Sequence, residues 1–278
     1  MSPAEERTLL ARPVLADAAL EGRVRARRFA RPELLGTSAP SAPLRRSPTE
    51  DSERMDELVF GEAFDALERS DEFLWGQARR DGYVGYVRAD ALSAPAAAPT
   101  HRVAAIRTFA FAERSIKSAA LGPYSLNALV AIESGDGDLA RAAGGGWFWR
   151  AHLAPIGSCE RDLAAVAEKF LGAPYLWGGR TSVGLDCSGL VQQALYACGR
   201  ACPRDTDQQA ALGREVAPDA LERGDLVFWR GHVGIMLDAE RLIHANGHHM
   251  AVAIEPLAEA VSRIARMEAG GPTAVRRL

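Results

Sequence analysis

The fold of the C-terminal region is decided by residues 184–195, which read GLDCSGLVQQAL. From Cys187 onward, apolar residues recur at the i, i+3, i+4 and i+7 spacing of one face of an amphipathic helix. Gly184 is typical of a loop and Asp186 is a favoured N-cap residue, so the helix is predicted to begin near Cys187. A thiol in the first helical turn experiences the partial positive charge of the N-terminus, which lowers its pKa and favours the nucleophilic thiolate.

Two histidines follow at predicted strand positions. His232 lies at the entry to an apolar strand, and His244 lies inside the next strand, 12 residues further on. Adjacent antiparallel strands could carry both imidazoles on one face of a sheet. His232 would then accept the proton of Cys187, and His244 would hold the ring of His232 in orientation. Each residue alone is more often structural, whereas the three together predict nucleophilic catalysis.

The segments around the cysteine and the histidines predict an α+β domain over residues 158–278. A helical pattern begins at Leu163 and stops at Gly172-Ala173-Pro174. After the Cys187 helix come four strand-like runs: Leu226–Trp229, Val233–Leu237, Leu242–Ala245 and Ala251–Ile254. A helix followed by an antiparallel meander is an α+β layout.

The N-terminal half has a different pattern. Residues 1–36 contain Arg and Pro that interrupt any long period, which predicts an arm with at most one short helix. Residues 37–94 show short alternating runs with glycine and charged turns, and residues 99–156 show a second such stretch. Both stretches end in an aromatic strand, a short turn and a leucine. This echo indicates a tandem repeat of one small β-barrel.

Composition narrows the class of partner. The chain has 36 acidic and 33 basic side chains, a formal net charge of −3, which does not favour nucleic acid. No long apolar stretch suggests a membrane span, and the N-terminus lacks the pattern of a secretory signal, so the expected location is the cytoplasm. The four cysteines lack zinc-site spacing and are expected to be reduced thiols. We expect no metal and no cofactor, and oligomeric state is left open.

Residues 158 to about 256 resemble the NlpC/p60 family of papain-like cysteine peptidases. The matching pieces, in the order of the family, are Gly172–Gly179, Asp186–Gln192, Pro203–Gln209, Arg223–Trp229, Gly231–Ile235 and Leu242–Ala245. The resemblance implies thiolate attack on an amide, an acyl-enzyme and its hydrolysis by water. It also implies the bond that is cut, which joins D-γ-glutamate to a diamino acid in peptidoglycan peptides.

The two N-terminal stretches resemble bacterial SH3-like (SH3b) domains, the second more weakly. The whole is similar to the γ-D-glutamyl-L-diamino acid endopeptidases of muropeptide recycling. The implied fold class is therefore an α+β papain-like domain, with a helix packed on an antiparallel sheet, preceded by two small SH3-like β-barrels. In those enzymes the first barrel closes the substrate cleft, so that only a peptide with a free N-terminal L-Ala fits.

The resemblance also implies roles for individual residues. Cys187, His232 and His244 would be catalytic. Tyr175 would line the cleft and help shape the oxyanion site, and Thr206 would lie beside the D-glutamate. Asp186 and Ser188 would contact the amino end of the substrate, although a role as helix cap is the plain alternative for Asp186. From the first barrel, Tyr83 would cap the cleft and Glu57 would pair with the substrate ammonium, with Glu62 as the alternative carboxylate.

Two other functions fit parts of the pattern. An N-acetylmuramoyl-L-alanine amidase or an acyltransferase would use the same cysteine chemistry on another bond. A non-catalytic wall-binding protein would use the barrels, but the intact set of Cys187, His232 and His244 argues against it. Whether the third substrate residue is diaminopimelate or lysine is left open by the sequence.

Overall fold

The computed structural model describes residues 3–267 and 270–278. The chain divides into two compact units, Met1–Ile156 and Gly157–Leu278. Within the described residues, no helix has the length and hydropathy needed to cross a membrane.

The N-terminal unit is built almost entirely from short strands. In chain order its elements are α1 (Pro3–Thr8), β1 (Ala11–Arg12), β2 (Leu15–Asp17), a 3₁₀ turn (Ala18–Leu20), β3 (Phe29–Ala30), β4 (Glu33–Thr37), β5 (Ser41–Arg45), β6 (Arg54–Val59), β7 (Ala63–Ser70), β8 (Phe73–Ala78), β9 (Val84–Arg88), a 3₁₀ turn (Ala89–Ala91), β10 (Leu92–Ser93), β11 (His101–Val103), β12 (Arg107–Phe111), β13 (Ala120–Ser125), β14 (Leu129–Val130), β15 (Ile132–Ser134), β16 (Leu139–Ala142), β17 (Trp147–Trp149), a 3₁₀ turn (Arg150–His152) and β18 (Leu153–Pro155).

The first subdomain is a sheet with strand order β10-β4-β7-β8-β9-β5-β6. Its core alternates along the strands, and Leu44, Leu58, Phe64 and Val87 are fully buried in it. Gly76 needs its lack of a side chain, because a Cβ there would overlap the ring of Phe64 and a neighbouring backbone oxygen.

The described part of the predicted arm, residues 3–36, is folded, in contrast to the prediction for residues 1–36. β4 pairs with β7, so the sheet begins at residue 33 and not at the predicted boundary of 37. Leu10 and Leu15 are buried against Trp75 of the same sheet, and the guanidinium of Arg12 lies 4.2 Å from the centre of that indole ring. No periodic pattern marks these strands in the sequence, because strands of two or three residues are too short to show one.

The second subdomain, residues 101–155, contains sheets of order β14-β11-β18 and β13-β12-β17-β16-β15. The succession of strand, 3₁₀ turn and strand at its end repeats the succession β9, Ala89–Ala91, β10 of the first subdomain. The two subdomains pack against each other. The ring of Phe60 from the first lies 4.8 Å from the ring of Tyr124 in the second, measured between ring centres.

The C-terminal unit places one helix at the centre of a mixed layer structure. Its elements are α2 (Leu163–Glu168), β19 (Arg180–Thr181), β20 (Gly184–Leu185), α3 (Cys187–Ala197), α4 (Thr206–Gln209), β21 (Arg214–Glu215), β22 (Leu226–Trp229), β23 (His232–Met236), β24 (Arg241–Asn246), β25 (Ala251–Pro256), α5 (Leu257–Arg266) and β26 (Ala274–Arg277). The main sheet has the order β21-β26-β22-β23-β24-β25. The four predicted strands are β22 to β25, whereas β26 and α5 were not predicted.

Helix α3 packs against β23, β24, α2 and β19. Every residue of α3 is buried, including Gln192 and Gln193, which lie outside the predicted apolar face. Helix α5 covers another part of the sheet, where Ala260 packs with Met236 and Leu242. Helix α3 therefore lies in the interior of its unit, and its position is fixed on all sides.

The packing of the N-terminal segment can be tested by truncating one leucine. We expect Leu15→Ala to lower the free energy of unfolding by about 2–4 kcal/mol, because it removes a buried side chain from the cluster around Trp75. Val14 is 49% exposed, so Val14→Ala is the matched control and should cost less than about 0.5 kcal/mol. Denaturant unfolding followed by tryptophan fluorescence measures both, and equal, negligible losses would contradict the packed segment.

Candidate active site

Cys187 is the first residue of α3, as predicted. The carboxylate of Asp186 caps the helix, and its Oδ1 accepts the backbone N–H of Gly189 at 2.8 Å. The backbone N–H groups of Ser188 and Val233 are directed at the sulfur as hydrogen-bond donors, and both lower the pKa of the thiol. Because Val233 directly follows His232, the start of β23 lies beside the thiol.

A buried polar network holds this helix end in place. Asp186 accepts hydrogen bonds from the backbone N–H of Gly178 at 2.9 Å and from the hydroxyl of Ser188 at 3.1 Å. The guanidinium of Arg204 donates to both oxygens of Asp186 and to Ser188 Oγ. All three side chains are buried. Sequence reasoning missed Arg204, although it lies in the quoted segment Pro203–Gln209.

This network bears on the predicted roles of Asp186 and Ser188. The cap role of Asp186 is present in the structure, and its negative charge is balanced by Arg204. A substrate ammonium at Asp186 would compete with these protein donors. Contact of either residue with the amino end of a substrate stays a prediction.

The environment of Cys187 opposes the expected low pKa. Burial, together with the negative charge of Asp186, raises the pKa of the Cys187 thiol to about 12. The two backbone N–H groups and the charge of Arg204 act in the lowering direction but do not offset burial. The helix terminus by itself favours the thiolate, but desolvation of the buried sulfur outweighs it. The thiol is therefore neutral in the free protein near pH 7 and needs a base.

The two histidines form a direct pair on neighbouring strands. His232 Nε2 lies 2.8 Å from His244 Nδ1. The register of β23 and β24 pairs Ile235 with Ile243, which puts both imidazoles on one face of the sheet, as the sequence predicted. Burial lowers the pKa of His232 to about 3, and the charge of His244 adds to this effect. A neutral imidazole with an available lone pair is the form that a base requires.

The histidine pair continues into two residues that sequence reasoning missed. His244 Nε2 lies 2.6 Å from Glu255 Oε1, and Arg263 donates to both oxygens of Glu255. Burial lowers the pKa of His244 to about 4, against the raising effect of Glu255. Burial would raise the pKa of Glu255, but the hydrogen bonds from Arg263 and His244 hold it at about 2. No spacing in the sequence connects a strand glutamate to these histidines, because the contact depends on the register of β24 with β25.

Tyr175 and Thr206 belong to the same unit as Cys187. Burial raises the pKa of Tyr175, and the charges of Cys187 and Asp186 raise it further, so its hydroxyl lies within electrostatic reach of the thiol. Thr206 begins α4, which is tied to α3 because Gln209 Nε2 donates to the carbonyl of Ser188 at 3.1 Å. The predicted contacts of Tyr175 and Thr206 with substrate stay predictions.

The residues predicted from the first barrel lie in the N-terminal unit. Glu57 is buried and accepts a hydrogen bond from the hydroxyl of Ser41 at 2.8 Å, and Tyr83 is buried in the barrel core. Their predicted roles at the cleft stay predictions. The alternative carboxylate, Glu62, is buried and pairs with Arg80, which also donates to the carbonyl of Asn127. Glu62 therefore links the two subdomains.

Two segments of the chain match known protein families. Residues 172–269 match the NlpC/P60 family, and residues 44–92 match the bacterial dipeptidyl-peptidase SH3 domain. Residues 172–269 of the C-terminal unit therefore form an NlpC/P60-type domain. The NlpC/P60 match includes Cys187, both histidines, Glu255 and Arg263.

Two curated proteins of Bacillus subtilis are similar to parts of the chain. The chain is 31% identical over 145 residues to the gamma-D-glutamyl-L-lysine dipeptidyl-peptidase of Bacillus subtilis, covering 48% of this chain and 49% of the relative. It is 44% identical over 98 residues to the gamma-DL-glutamyl hydrolase of the same organism, covering 32% of this chain and 24% of the relative. The chain thus matches about half or less of the length of these relatives.

A solved structure shares the fold of the chain. It is the crystal structure of an NlpC/P60 family protein from Bacillus cereus ATCC 10987, with a TM-score of 0.76 and 19% sequence identity. The match covers 88% of this chain and 99% of that one. It shows that the chain shares the fold of that NlpC/P60 protein, while the SH3 domain is supported by the family match at residues 44–92.

The buried histidines of the NlpC/P60 domain make its stability depend on pH. In the unfolded chain each imidazole has a pKa near 6.5, whereas in the folded domain the pKa is about 3 for His232 and about 4 for His244. The unfolded state therefore binds more protons as the pH falls below 6.5. We expect the free energy of unfolding to drop by up to about 2 kcal/mol per histidine between about pH 7 and pH 5.

Denaturant unfolding at a series of pH values measures this slope, and His244→Gln should make it shallower. His248 is exposed, so His248→Gln is the matched control and should keep the slope. A pH-independent free energy of unfolding over this range would contradict the buried, neutral imidazoles.

Proposed function

We propose that this protein is a cysteine peptidase that hydrolyses the γ-D-glutamyl–diamino acid bond of peptidoglycan-derived peptides. The observation that carries the proposal is that Cys187 lies beside the start of β23, the strand that carries His232 of the histidine pair. The backbone N–H of Val233 forms a hydrogen bond to the sulfur. The preceding residue, His232, is hydrogen-bonded to His244 at 2.8 Å. The two named relatives add the type of bond, since both names specify a γ-linked glutamyl group.

The chemistry follows from the protonation states. His232 takes the proton of the Cys187 thiol, and the sulfur attacks the γ-carbonyl carbon of the glutamyl residue. The resulting imidazolium and thiolate stabilise one another, because opposite charges attract strongly in a buried site. His232 then gives the proton to the departing amine, and a thioester remains on Cys187. Water, deprotonated by His232, releases the acyl group and restores the thiol.

The proposal extends to a free N-terminal L-Ala on the substrate. Tyr175, Ser188 and Thr206 are the residues of the NlpC/P60 domain that we assign to the acyl side. A buried ammonium requires a carboxylate partner, for which Glu57 is our candidate, although Arg54 lies 3.4 Å from it. Tyr83 is the proposed cap of the cleft.

The finer features of the fold belong to the same proposal. The contact of α3 with β23 and β24 supports a papain-like arrangement of helix on sheet. The repeated strand, 3₁₀ turn and strand supports a second SH3-like barrel at residues 101–155.

Removal of the nucleophile tests the peptidase assignment. We expect Cys187→Ala to lower kcat/KM on L-Ala-γ-D-Glu-diamino acid tripeptide by at least about 10⁴-fold with the fold unchanged, because no other group forms the thioester. Cys159 is an exposed free cysteine of the same unit, and Cys159→Ser is the matched control that should keep activity. Unimpaired cleavage by the Cys187→Ala protein would contradict the assignment.

The substrate claim is tested by changing the amino end alone. The N-acetylated tripeptide should be cleaved at least about 10²-fold more slowly than the free one, because its charged amine is lost. Mass spectrometry should detect L-Ala-D-Glu as product from the free peptide. Equal cleavage of both peptides would remove the free-amine requirement, and release of free sugar from a muramyl peptide would favour an amidase.

A further inference from the structure

A continuous hydrogen-bonded chain runs from the base to a buried ion pair. His232 Nε2 is 2.8 Å from His244 Nδ1, and His244 Nε2 is 2.6 Å from Glu255 Oε1. Arg263, on α5, donates to both oxygens of Glu255. The side chain of His244 has no exposure to solvent, and that of Glu255 is 7% exposed. The chain thus links β23, β24, β25 and α5 within one unit.

We propose that Glu255, held as a carboxylate by Arg263, sets the tautomers of both histidines and so leaves Nδ1 of His232 as the nitrogen that accepts the thiol proton. This inference rests on the proposed function only in making Cys187 the donor of that proton. Glu255 and Arg263 are positioning residues, since they act through His244 and touch no reacting atom.

The tautomers follow from which groups can donate. A carboxylate only accepts, so the hydrogen between His244 and Glu255 must reside on His244 Nε2. A neutral imidazole carries one N–H, so His244 Nδ1 has a lone pair. The hydrogen between the two rings therefore resides on His232 Nε2. His232 Nδ1 is left unprotonated, and it is the ring nitrogen outside this chain.

Arg263 is needed because Glu255 is buried. Burial alone favours the neutral carboxylic acid, whose O–H would donate to His244 Nε2 and reverse the direction of every hydrogen bond in the chain. His232 Nδ1 would then carry the hydrogen and could not accept one. The paired donors of Arg263 stabilise the anion and exclude that arrangement.

The same chain stabilises the charge that forms during the reaction. When the proton moves from Cys187 Sγ to His232 Nδ1, the ring becomes an imidazolium with N–H groups on both nitrogens. Its Nε2–H still donates to His244, whose Nε2–H still donates to the carboxylate. The negative charge of Glu255 is separated from the new positive charge on His232 by one ring, that of His244, and attracts it without taking the proton.

A merely structural role is the competing explanation. Glu255 and Arg263 join the last strand of the meander to α5, and their loss could loosen that helix. Such a role predicts lower stability but no change in the tautomers. Measurements of the ring nitrogens and of Cys187 reactivity separate the two explanations, and neither needs a substrate.

The first measurement is ¹⁵N NMR of the histidine rings in the full-length, unmodified protein near pH 7. We expect His232 and His244 both to be protonated on Nε2 and unprotonated on Nδ1. A hydrogen on Nδ1 of either ring overturns the proposal, and this outcome does not depend on any variant folding.

The second measurement compares Glu255→Gln with Glu259→Gln. Glu255→Gln removes the acceptor-only group, so Nδ1–H forms should appear in the spectrum. The rates of Cys187 alkylation by iodoacetamide and of turnover, kcat, should both fall by about 10²- to 10⁴-fold. Glu259 is exposed on the same helix as Arg263 and acts on it only through its charge, so Glu259→Gln should keep both rates.

Arg263→Lys should retain more alkylation rate than Arg263→Gln, because a lysine still favours the anion. If Glu255→Gln keeps the wild-type tautomers and alkylation rate while folded, the proposal is wrong. If the tautomers and the alkylation rates are as expected but no γ-glutamyl peptide is cleaved, the proposed function is wrong. The inference that Glu255 sets the histidine tautomers then still holds.

Discussion

The capped N-terminus of α3 is the constraint on which the rest of the site depends. The buried carboxylate of Asp186 receives hydrogen bonds from Gly178, Gly189 and Ser188, and Arg204 balances its charge. A buried carboxylate without these donors would be costly. With them, it fixes where the helix begins and thus where the sulfur of Cys187 lies. His232 is placed near the sulfur because it is the first residue of β23 in the main sheet.

Burial has two opposite effects on the chemistry of this site. It keeps the Cys187 thiol protonated, and it keeps His232 and His244 neutral. The helix terminus alone would suggest a thiolate already formed in the free protein. In the desolvated site the proton instead stays on the sulfur, next to His232, whose lone pair is available. Catalysis then depends on the orientation of that base, which is why the chain through His244 to Glu255 matters.

The sequence predicted those parts of the structure that depend on local patterns. The start of α3 at Cys187 follows from one cap residue and a helical period. The shared face of His232 and His244 follows from the period of two in paired strands. Glu255 and Arg263 could not be predicted, because their contacts require the register of β25 and the placement of α5. The high pKa of Cys187 escaped prediction for a related reason, since burial is a property of the whole domain. The fold of residues 3–36 escaped prediction because the strands there are too short to show a period.

The central claim is that Cys187 attacks the γ-carbonyl of the glutamyl residue and carries the acyl group. A single turnover of L-Ala-γ-D-Glu-diamino acid peptide, quenched in acid and digested, allows mass spectrometry to locate that group. We expect an L-Ala-γ-D-Glu thioester on the peptide that contains Cys187, formed and lost at rates consistent with turnover. An acyl group on another residue, or product release with no adduct on Cys187 at any time point, would contradict it.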